Sequence, residues 1–343
     1  MDFSENQDFE PVQYCFYSGN TSCPKAVRSM AFYVIIYIFA AASVMLTICG
    51  NLVVIISISH FKQLHTPTNL HVLSLAVADF LIGLIVMPFT IIQTIETCWY
   101  FGDIFCFVHT VFYLVLTSAS ISSLVFIAID RYFAVCHPFM YTHKITITVT
   151  WCFIGLSWLL SMVYTWAILF FKGNVDGVTD LNACPGDCVF AYNATWGVVD
   201  LFMTLLLPFF LVVSFYTNIF IVARRHARLI NSMSQQISSI EGNKENISKR
   251  SERKAAKTLG IVIFVFFLCW VPYYICTLIV PNMYISNPSL AIHVLSWVSY
   301  FNSSLNPIIY ALFYPWFQKS LKLIVTFKIC SPSSSLINLF PEN

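Results

Sequence analysis

Asp200 is the residue of this sequence whose type and surroundings suggest the most specific chemistry. It lies in a long apolar stretch, eight residues before Pro208. A charged acid in such surroundings is unfavourable unless another group compensates it. A cationic group would supply the missing charge and a charge-assisted hydrogen bond worth about 1.5–3 kcal/mol. The alternative is a protonated acid, hydrogen-bonded to Tyr113 or to a neighbouring threonine. We predict that Asp200 faces a cavity and marks a binding site.

Two further acids lie in apolar stretches. Asp79 would cost about 2.5–3.5 kcal/mol at the centre of a membrane helix, so it should face other helices rather than lipid. Asp130 precedes Arg131, and release of an ion pair between them would free the guanidinium for a partner. The sequence contains neither HExxH nor GxSxG, and residues 289–313 contain no lysine for a Schiff base. It therefore indicates a binding and switching protein, not an enzyme or a retinal protein.

Membrane helices must position these acids. Of the 343 residues, 58% are hydrophobic and 10% are charged, whereas soluble domains carry about 25% charged residues. The apolar run from Cys106 to Cys136 exceeds the roughly 20 residues that span a bilayer. Six more runs of sufficient length lie at 30–59, 68–95, 145–171, 194–223, 257–280 and 289–313. We predict an all-α membrane protein, with a seven-transmembrane helix bundle over 30–313 and a short amphipathic helix at 314–329.

The basic residues predict the orientation of the bundle. With residues 1–29 outside, three of the 18 Lys and Arg residues (Lys25, Arg28 and Lys172) lie outside and the other 15 inside. This excess predicts an extracellular N-terminus and a cytoplasmic C-terminus. Residues 1–29 contain no hydrophobic core, so we expect no cleavable signal peptide. The polar segment 224–256 should be a cytoplasmic loop and 330–343 a cytoplasmic tail, disordered over the Ser-rich residues 331–343.

The 12 cysteines divide by predicted depth. Those on the outer, oxidising side, where disulfides persist, are Cys15, Cys23, Cys98, Cys106, Cys184 and Cys188. A bridge from Cys106 to the loop pair Cys184/Cys188 would hold that loop over the bundle, but spacing alone leaves the pairings open. Cys330 follows a basic amphipathic stretch, where a palmitoylated cysteine and an ordinary free thiol fit the sequence equally well.

Each predicted span carries a landmark that resembles those of rhodopsin-like G-protein-coupled receptors. The landmarks are Asn51, Asp79, Asp130-Arg131-Tyr132, Trp158, Pro208, Cys269-Trp270-Val271-Pro272 and Asn306-Pro307-Ile308-Ile309-Tyr310. Within that class, HFKQLHTPTN at 60–69, SERKAAKTLG at 251–260 and the run from Asn302 to Trp316-Phe317 resemble trace amine-associated receptors. This resemblance implies a plasma-membrane receptor, typically olfactory, for a volatile or small cationic amine. It also implies a stimulatory heterotrimeric G protein, signalling to cAMP, with membrane lipid and no nucleic acid as further partners.

One position departs from the family pattern. Biogenic-amine receptors place an aspartate in the third span, eighteen residues before the arginine of the triplet, and here that position is Tyr113. A subset of fish members is similar, with the acid in the fifth span. We therefore predict that Asp200 binds the amine, in a cavity lined by Tyr113, Leu114, Thr117, Thr204, Trp270, Tyr273, Tyr274 and Tyr300. The alternatives are a non-olfactory receptor for a neurotransmitter-like amine and a receptor for a non-amine ligand.

The resemblance implies further sites. A sodium ion would bind at Asp79, Ser120, Asn302, Ser303 and Asn306, where hard oxygen ligands suit a small cation, although a water-filled hydrogen-bond network is the alternative. No other cofactor is expected. The activation switch would comprise Asp130, Arg131, Tyr132, Ile121, Pro208, Phe266, Tyr216, Pro272, Asn306, Pro307 and Tyr310. The working disulfide assignment is Cys106–Cys188 and Cys23–Cys184, and Asn20, in the sequon Asn20-Thr21-Ser22, is the expected glycosylation site.

Overall fold

The computed structural model describes residues 13–16, 22–173, 186, 188, 194–234, 260–277, 288–331 and 334–340. The long helices are α1 (Met30–His60), α2 (Pro67–Glu96), α3 (Asp103–Cys136), α4 (Ile147–Gly173), α6 (Gly260–Thr277) and α7 (Pro288–Phe313). Helix α5 runs through Ala194–Asp200, the π-helical Leu201–Leu206 and Leu207–Ser234. A short helix, Pro138–Lys144, follows α3, and α8 (Pro315–Val325) follows α7. The described residues contain no β-strand, so the predicted all-α bundle is confirmed.

The helices form because apolar side chains dominate them and because backbone groups in lipid must be hydrogen-bonded within their own segment. Six of the described helices, α1 to α6, are long and apolar enough to cross a membrane. Helix α2 begins at a clear signal, since Thr66 caps its N-terminus by accepting a hydrogen bond from Asn69 N and Pro67 occupies the first turn. Large apolar side chains on α1 and α4 point outwards, as expected for helices solvated by lipid.

Helix α3 lies at the centre of the bundle, in contact with α2, α4 and α5. Its buried residues Leu124 and Ile127 share one apolar core with Leu75 of α2 and with Phe266 and Trp270 of α6. Polar contacts join α4 to this centre: Ser122 and Ser157 are hydrogen-bonded at 2.7 Å, and Trp158 Nε1 donates to Ser74 Oγ at 3.0 Å. Helix α3 therefore contacts α2, α4 and α5 and shares an apolar core with α6.

Helices α1 and α7 approach each other closely at Gly50. A Cβ atom placed on Gly50 would lie 2.6 Å from Pro307 Cβ, so only glycine fits here without displacement of α7. One residue on, Asn51 Nδ2 donates to the Ser303 carbonyl at 3.1 Å. The contact fixes the C-terminal half of α7 against α1 and places its polar side chains towards the bundle.

Two helices contain a π-helical turn just before a proline. In α2 it covers Ile82–Val86, ahead of Pro88, and in α5 it covers Leu201–Leu206, ahead of Pro208. Proline cannot donate to the preceding turn and its ring crowds that turn, so a widened turn relieves the clash. The wider turn also changes the rotation of the preceding residues, and in α5 the residue before it is Asp200.

Disulfides tie the outer surface together. Cys106–Cys188 is present, as in the working assignment, and Cys15–Cys98 joins the N-terminal segment to the connection between α2 and α3. Cys23 is also disulfide-bonded, while Cys184 lies outside the described residues, as does Asn20. Gln93 Nε2 of α2 donates to the Cys188 carbonyl at 3.0 Å, which adds a second attachment of this loop to the bundle.

The prediction that the C-terminal tail is disordered is wrong for residues 334–340. Leu339 is 0% exposed and packs in the core that contains Phe61 and Leu64, at the turn between α1 and α2. Serine content alone predicts disorder, whereas one buried leucine and a few backbone hydrogen bonds are enough to hold a short segment. Residues 332–333 and 341–343 lie outside the described part.

Candidate functional site

Asp200 faces the interior of the bundle. It is the last residue of the first α-helical segment of α5, immediately before the π-helical turn, and it is 7% exposed. Tyr164 Oη of α4 donates to Asp200 Oδ1 at 2.7 Å, and Tyr274 Oη of α6 donates to Asp200 Oδ2 at 3.3 Å. No Lys or Arg of the described chain forms an ion pair with this carboxylate. The acid thus has two phenol donors and no counter-charge.

Thr204 supports this arrangement from the next turn of α5. Its hydroxyl donates to the Asp200 carbonyl at 2.5 Å and contacts Tyr274 Oη. A threonine hydroxyl within a helix commonly bonds the carbonyl four residues before it, as Thr204 does here. The residue therefore links the backbone of α5 to the phenol of α6.

A small cavity of about 20 Å³, enough for about one water molecule, lies against the Asp200 carboxylate. Its lining consists of Tyr113, Leu114, Thr117, Ser118, Tyr164, Asp200, Thr204, Tyr273 and Tyr274. The side chain oxygen of Thr117 is buried and has no hydrogen-bond partner among the described residues. An uncompensated acid and an unpaired hydroxyl therefore face the same space, and an organic ligand can enter only if the surrounding side chains move apart.

Seven predicted ligand residues line this cavity, and two lie behind it. The Trp270 ring packs edge-on against Tyr273, with centroids 6.1 Å apart, and the Tyr300 ring packs in the same way against Tyr113, also at 6.1 Å. The sequence analysis missed Tyr164. The available signal was a phenol in the otherwise apolar fourth span, because a buried hydroxyl needs a partner, but which helix face it occupied was not evident.

A second buried acid, Asp79 of α2, is 0% exposed and receives three hydrogen bonds. Ser120 Oγ and Ser303 Oγ donate to its Oδ1 atom at 3.2 and 2.7 Å, and Asn306 Nδ2 donates to Oδ2 at 2.7 Å. Asn302 has no bond to Asp79 in the described structure. The Oδ1 atoms of Asn302 and Asn306 are buried and have no hydrogen-bond partner among the described residues, so they are available to a small cation or to water.

The third buried acid, Asp130 of α3, pairs with its neighbour Arg131. The guanidinium Nη2 and Nε atoms lie 2.7 and 3.1 Å from Asp130 Oδ2, and Nη2 also contacts Thr68 Oγ1. Thr68 Oγ1 donates to Oδ2 at 2.5 Å, and Tyr141 Oη donates to Oδ1 at 2.9 Å. Burial, with Asp130 adding to it, raises the pKa of Tyr141 to about 12, so this phenol stays a neutral donor.

The remaining predicted switch residues lie along the core between the cavity and this ion pair. Ile121 and Phe266 are buried together, and Phe266 stacks at a tilt on Trp270, with centroids 5.9 Å apart. Tyr132 packs against Phe215 at 5.2 Å. Pro208 is buried and Pro272 is half-buried.

The hydroxyl groups of Tyr216 and Tyr310 are buried and lack hydrogen-bond partners in the part of the chain that is described. Such unpaired phenols are costly in this arrangement, which indicates that a rearrangement or water satisfies them.

Comparison with known proteins agrees with this geometry. The model of the family "7 transmembrane receptor (rhodopsin family)" matches residues 50–310. The chain is 46% identical to trace amine-associated receptor 13c of Danio rerio, covering 99% of both chains. It is 42% identical to trace amine-associated receptor 4 of Mus musculus, covering 97% of this chain and 96% of the relative, and 44% identical to trace amine-associated receptor 6 of Homo sapiens, covering 97% of each.

Proposed function

This chain belongs to the trace amine-associated receptors of the rhodopsin family, and we propose that it is an olfactory receptor that binds a small cationic amine through Asp200. As a member of a G-protein-coupled receptor family it senses amines and is not an enzyme. The proposal extends to a stimulatory G protein with cAMP as the signal, and to a plasma-membrane location with the N-terminus extracellular. The outer disulfides, which require an oxidising compartment, support that orientation.

The observation that carries the proposal is the missing counter-charge at Asp200. Two phenols stabilise the carboxylate in the absence of ligand, but neither neutralises it. An ammonium group would bring a full positive charge into a site with little water, where a charge-assisted hydrogen bond is strongest. Tyr113 and Tyr273 line the same cavity and offer ring faces for cation–π contact.

The small size of the cavity links binding to activation. Because the present arrangement leaves space for only about one water molecule, an amine must bind an arrangement in which the lining side chains have separated. A ligand that prefers this wider arrangement shifts the receptor towards it by its difference in affinity for the two. Tyr273 and Tyr274 pack on Trp270, and Trp270 packs on Phe266, so a change in the lining reaches the core of α6.

At the cytoplasmic end, Asp130 and Thr68 of α2 hold Arg131, and Tyr141 of the short helix Pro138–Lys144 holds Asp130. Outward movement of α6 about Pro272 would open a cleft beside α3, and release of Arg131 would make it available to a helix of the G protein. Tyr216 and Tyr310, whose hydroxyl groups are unpaired in this arrangement, would gain partners as the cleft opens.

The proposal includes a sodium ion at Asp79, because the residues around this carboxylate fit such a cation. Asp79, Ser120 and Ser303 would hold it, and the unpaired amide oxygens of Asn302 and Asn306 supply the kind of hard ligand that such a cation takes. Its charge would neutralise a fully buried carboxylate. The side chains of this cluster connect α2, α3 and α7, so their repacking would couple these helices.

The test is a cAMP reporter assay in cells that express the receptor, with a panel of primary, tertiary and cyclic amines. Asp200→Asn keeps the volume of the side chain and removes its charge, and we expect a loss of potency of about 10- to 150-fold, equivalent to 1.5–3 kcal/mol. Glu96→Gln, at the outer end of α2 and outside the cavity, is the matched control and should stay near wild type. Equal potency of wild type and Asp200→Asn at similar surface expression would refute the proposal.

A further inference from the structure

A second cavity lies at the outer end of α1 and shares no lining residue with the cavity at Asp200. Its volume is about 630 Å³, against about 20 Å³ at Asp200. We call this space the α1 cleft. Its lining includes Lys25 of the N-terminal segment, Glu96 at the end of α2, and one face of α1 with Tyr33, Val34, Tyr37 and Ile38.

The N-terminal segment forms one wall of the α1 cleft, and several contacts hold it in place. The Cys15–Cys98 disulfide attaches it to the connection between α2 and α3. The Ala26 N–H donates to Thr97 Oγ1 at 2.9 Å, and Tyr33 Oη of α1 donates to the Ala26 carbonyl at 3.1 Å. The walls are therefore formed before any occupant binds, which lowers the cost of ordering them.

Two opposite charges meet in the α1 cleft. Lys25 Nζ lies 3.0 Å from Glu96 Oε2, and Tyr37 Oη donates to Glu96 Oε1 at 2.8 Å. The hydrogen bond to Glu96 raises the pKa of Lys25, so its ammonium group stays charged. The two charged side chains are 28% and 22% exposed, and an ion pair this open to solvent contributes little stability by itself. Each charge is therefore able to take a further partner at low cost.

The rest of the α1 cleft is apolar and continues along α1 towards the lipid. Val34 is 49% exposed and Ile38 is 65% exposed. The lining from Met30 to Ile38 covers about 12 Å of the helix axis, given a rise of about 1.5 Å per residue. Tyr33 and Tyr37 lie in the first turns of α1, where aromatic side chains commonly meet lipid headgroups. An occupant that fits this space has a charged head and an apolar chain.

We propose that the α1 cleft binds a zwitterionic phospholipid, with its phosphate on Lys25 and its choline group between Glu96 and the rings of Tyr33 and Tyr37. An ammonium group and a phosphate form a strong charge-assisted hydrogen bond, and aromatic faces attract a quaternary ammonium. The acyl chain follows Val34 and Ile38 along α1. The leaflet, which is the outer one, rests on the orientation proposed above, whereas the chemistry of the cleft does not.

The two charges favour this occupant over other membrane lipids. An anionic headgroup would pair with Lys25 but would place a second negative charge beside Glu96. A sterol offers one hydroxyl group, which has no charge for either side chain. A zwitterion complements both charges at once, so it binds without leaving either one opposed or unmatched. The bound lipid would connect α1 to the end of α2 and to the N-terminal segment.

Photolabelling of the full-length receptor tests the site. The receptor is placed in nanodiscs of phosphatidylcholine and phosphatidylglycerol in equal parts, with a trace of phosphatidylcholine that carries a diazirine on its acyl chain. Labelling of residues 30–38 is compared with that of residues 156–163 on α4, whose exposed apolar side chains report ordinary lipid contact. We expect labelling at 30–38 to be about fivefold higher, as a contact worth about one exposed ion pair would give.

Variants of Lys25 decide whether the excess labelling depends on its charge. Lys25→Gln should lower the labelling of residues 30–38 to the level of α4, while Lys25→Arg should keep most of the excess. Arg28→Gln is the matched control, since Arg28 lies over the Phe32 ring and outside the α1 cleft, and it should match wild type. Unchanged α4 labelling shows that the variant bundles are intact. Wild-type labelling in Lys25→Gln, or an equal loss in Arg28→Gln, would overturn the proposal.

A change of headgroup tests the second charge. A phosphatidylglycerol probe with the same diazirine keeps the phosphate and lacks the ammonium, so it should label residues 30–38 several-fold less. Glu96→Gln should remove this preference for choline. Stronger labelling by phosphatidylglycerol, or displacement of the phosphatidylcholine probe by cholesterol, would refute a zwitterionic occupant. Because no amine ligand is present, these results do not depend on whether Asp200 binds an amine.

Discussion

Asp200 and Asp130 are two buried acids in one bundle, and they differ in what faces them. Asp130 has a cation of its own chain, Arg131, at 2.7 Å, together with hydroxyl donors from Thr68 and Tyr141. Among the described residues, the side-chain donors to Asp200 are the two phenols of Tyr164 and Tyr274. A carboxylate that is already neutralised by its own chain can act as a restraint that is later released. A carboxylate without a counter-charge is suited to an external cation. This difference supports our proposals that Asp130 acts in switching and that Asp200 binds the amine.

Removal of the Asp130 charge should have the largest effect. Loss of one partner of a buried pair typically costs about 3–5 kcal/mol, and here it would destabilise the arrangement in which Arg131 is held. We expect Asp130→Asn to raise cAMP several-fold without ligand. Tyr141→Phe removes one hydrogen bond to the same carboxylate and should raise basal cAMP less. Wild-type basal activity in Asp130→Asn would mean that this pair does not restrain the receptor.

Transfer of the acid from α5 to α3 would show whether charge alone defines the binding site. In the Asp200→Asn background, Tyr113→Asp places a carboxylate on another helix that lines the same cavity. We expect it to recover roughly tenfold of the lost potency for at least one amine, since an ion pair of similar strength can form. The measurement is the amine dose–response in the cAMP assay, with Leu114→Asp as a control. Recovery by Leu114→Asp to the same extent would show that position matters less than we infer.

The two phenols around Asp200 should contribute unequally to stability. Tyr164→Phe removes the 2.7 Å bond and Tyr274→Phe the 3.3 Å bond. We expect thermal unfolding of the purified, ligand-free receptor to show a loss of about 1–2 kcal/mol for Tyr164→Phe and a smaller loss for Tyr274→Phe. A larger loss for Tyr274→Phe would indicate that its contact with Thr204 is the stronger restraint.

Much of the fold could be predicted because lipid imposes simple rules on a sequence. The apolar run lengths predicted the helices, and the cost of a charge in lipid predicted that Asp79 and Asp200 face the interior. These statements depend on residue type and depth alone. They hold regardless of which neighbouring helix lies opposite, and for this reason they agree with the structure.

The details of the sites could not be predicted in the same way. Trp270 and Tyr300 lie behind the cavity and Tyr164 lies in it, because helix rotation, including the π-helical turn after Asp200, decides which side chains converge. The bridge between Cys15 and Cys98 depends on where the N-terminal segment crosses the bundle. Each of these facts requires the relative placement of segments far apart in the chain.

The sequence by itself therefore determined the positions of the helices, the family landmarks and the acids that must be compensated. Those properties follow from transfer free energies that each residue carries with it. Only the tertiary structure decided which phenols bond Asp200, how Arg131 is held, and that Leu339 is buried against the turn between α1 and α2. These depend on packing between helices, where a small rotation exchanges one neighbour for another.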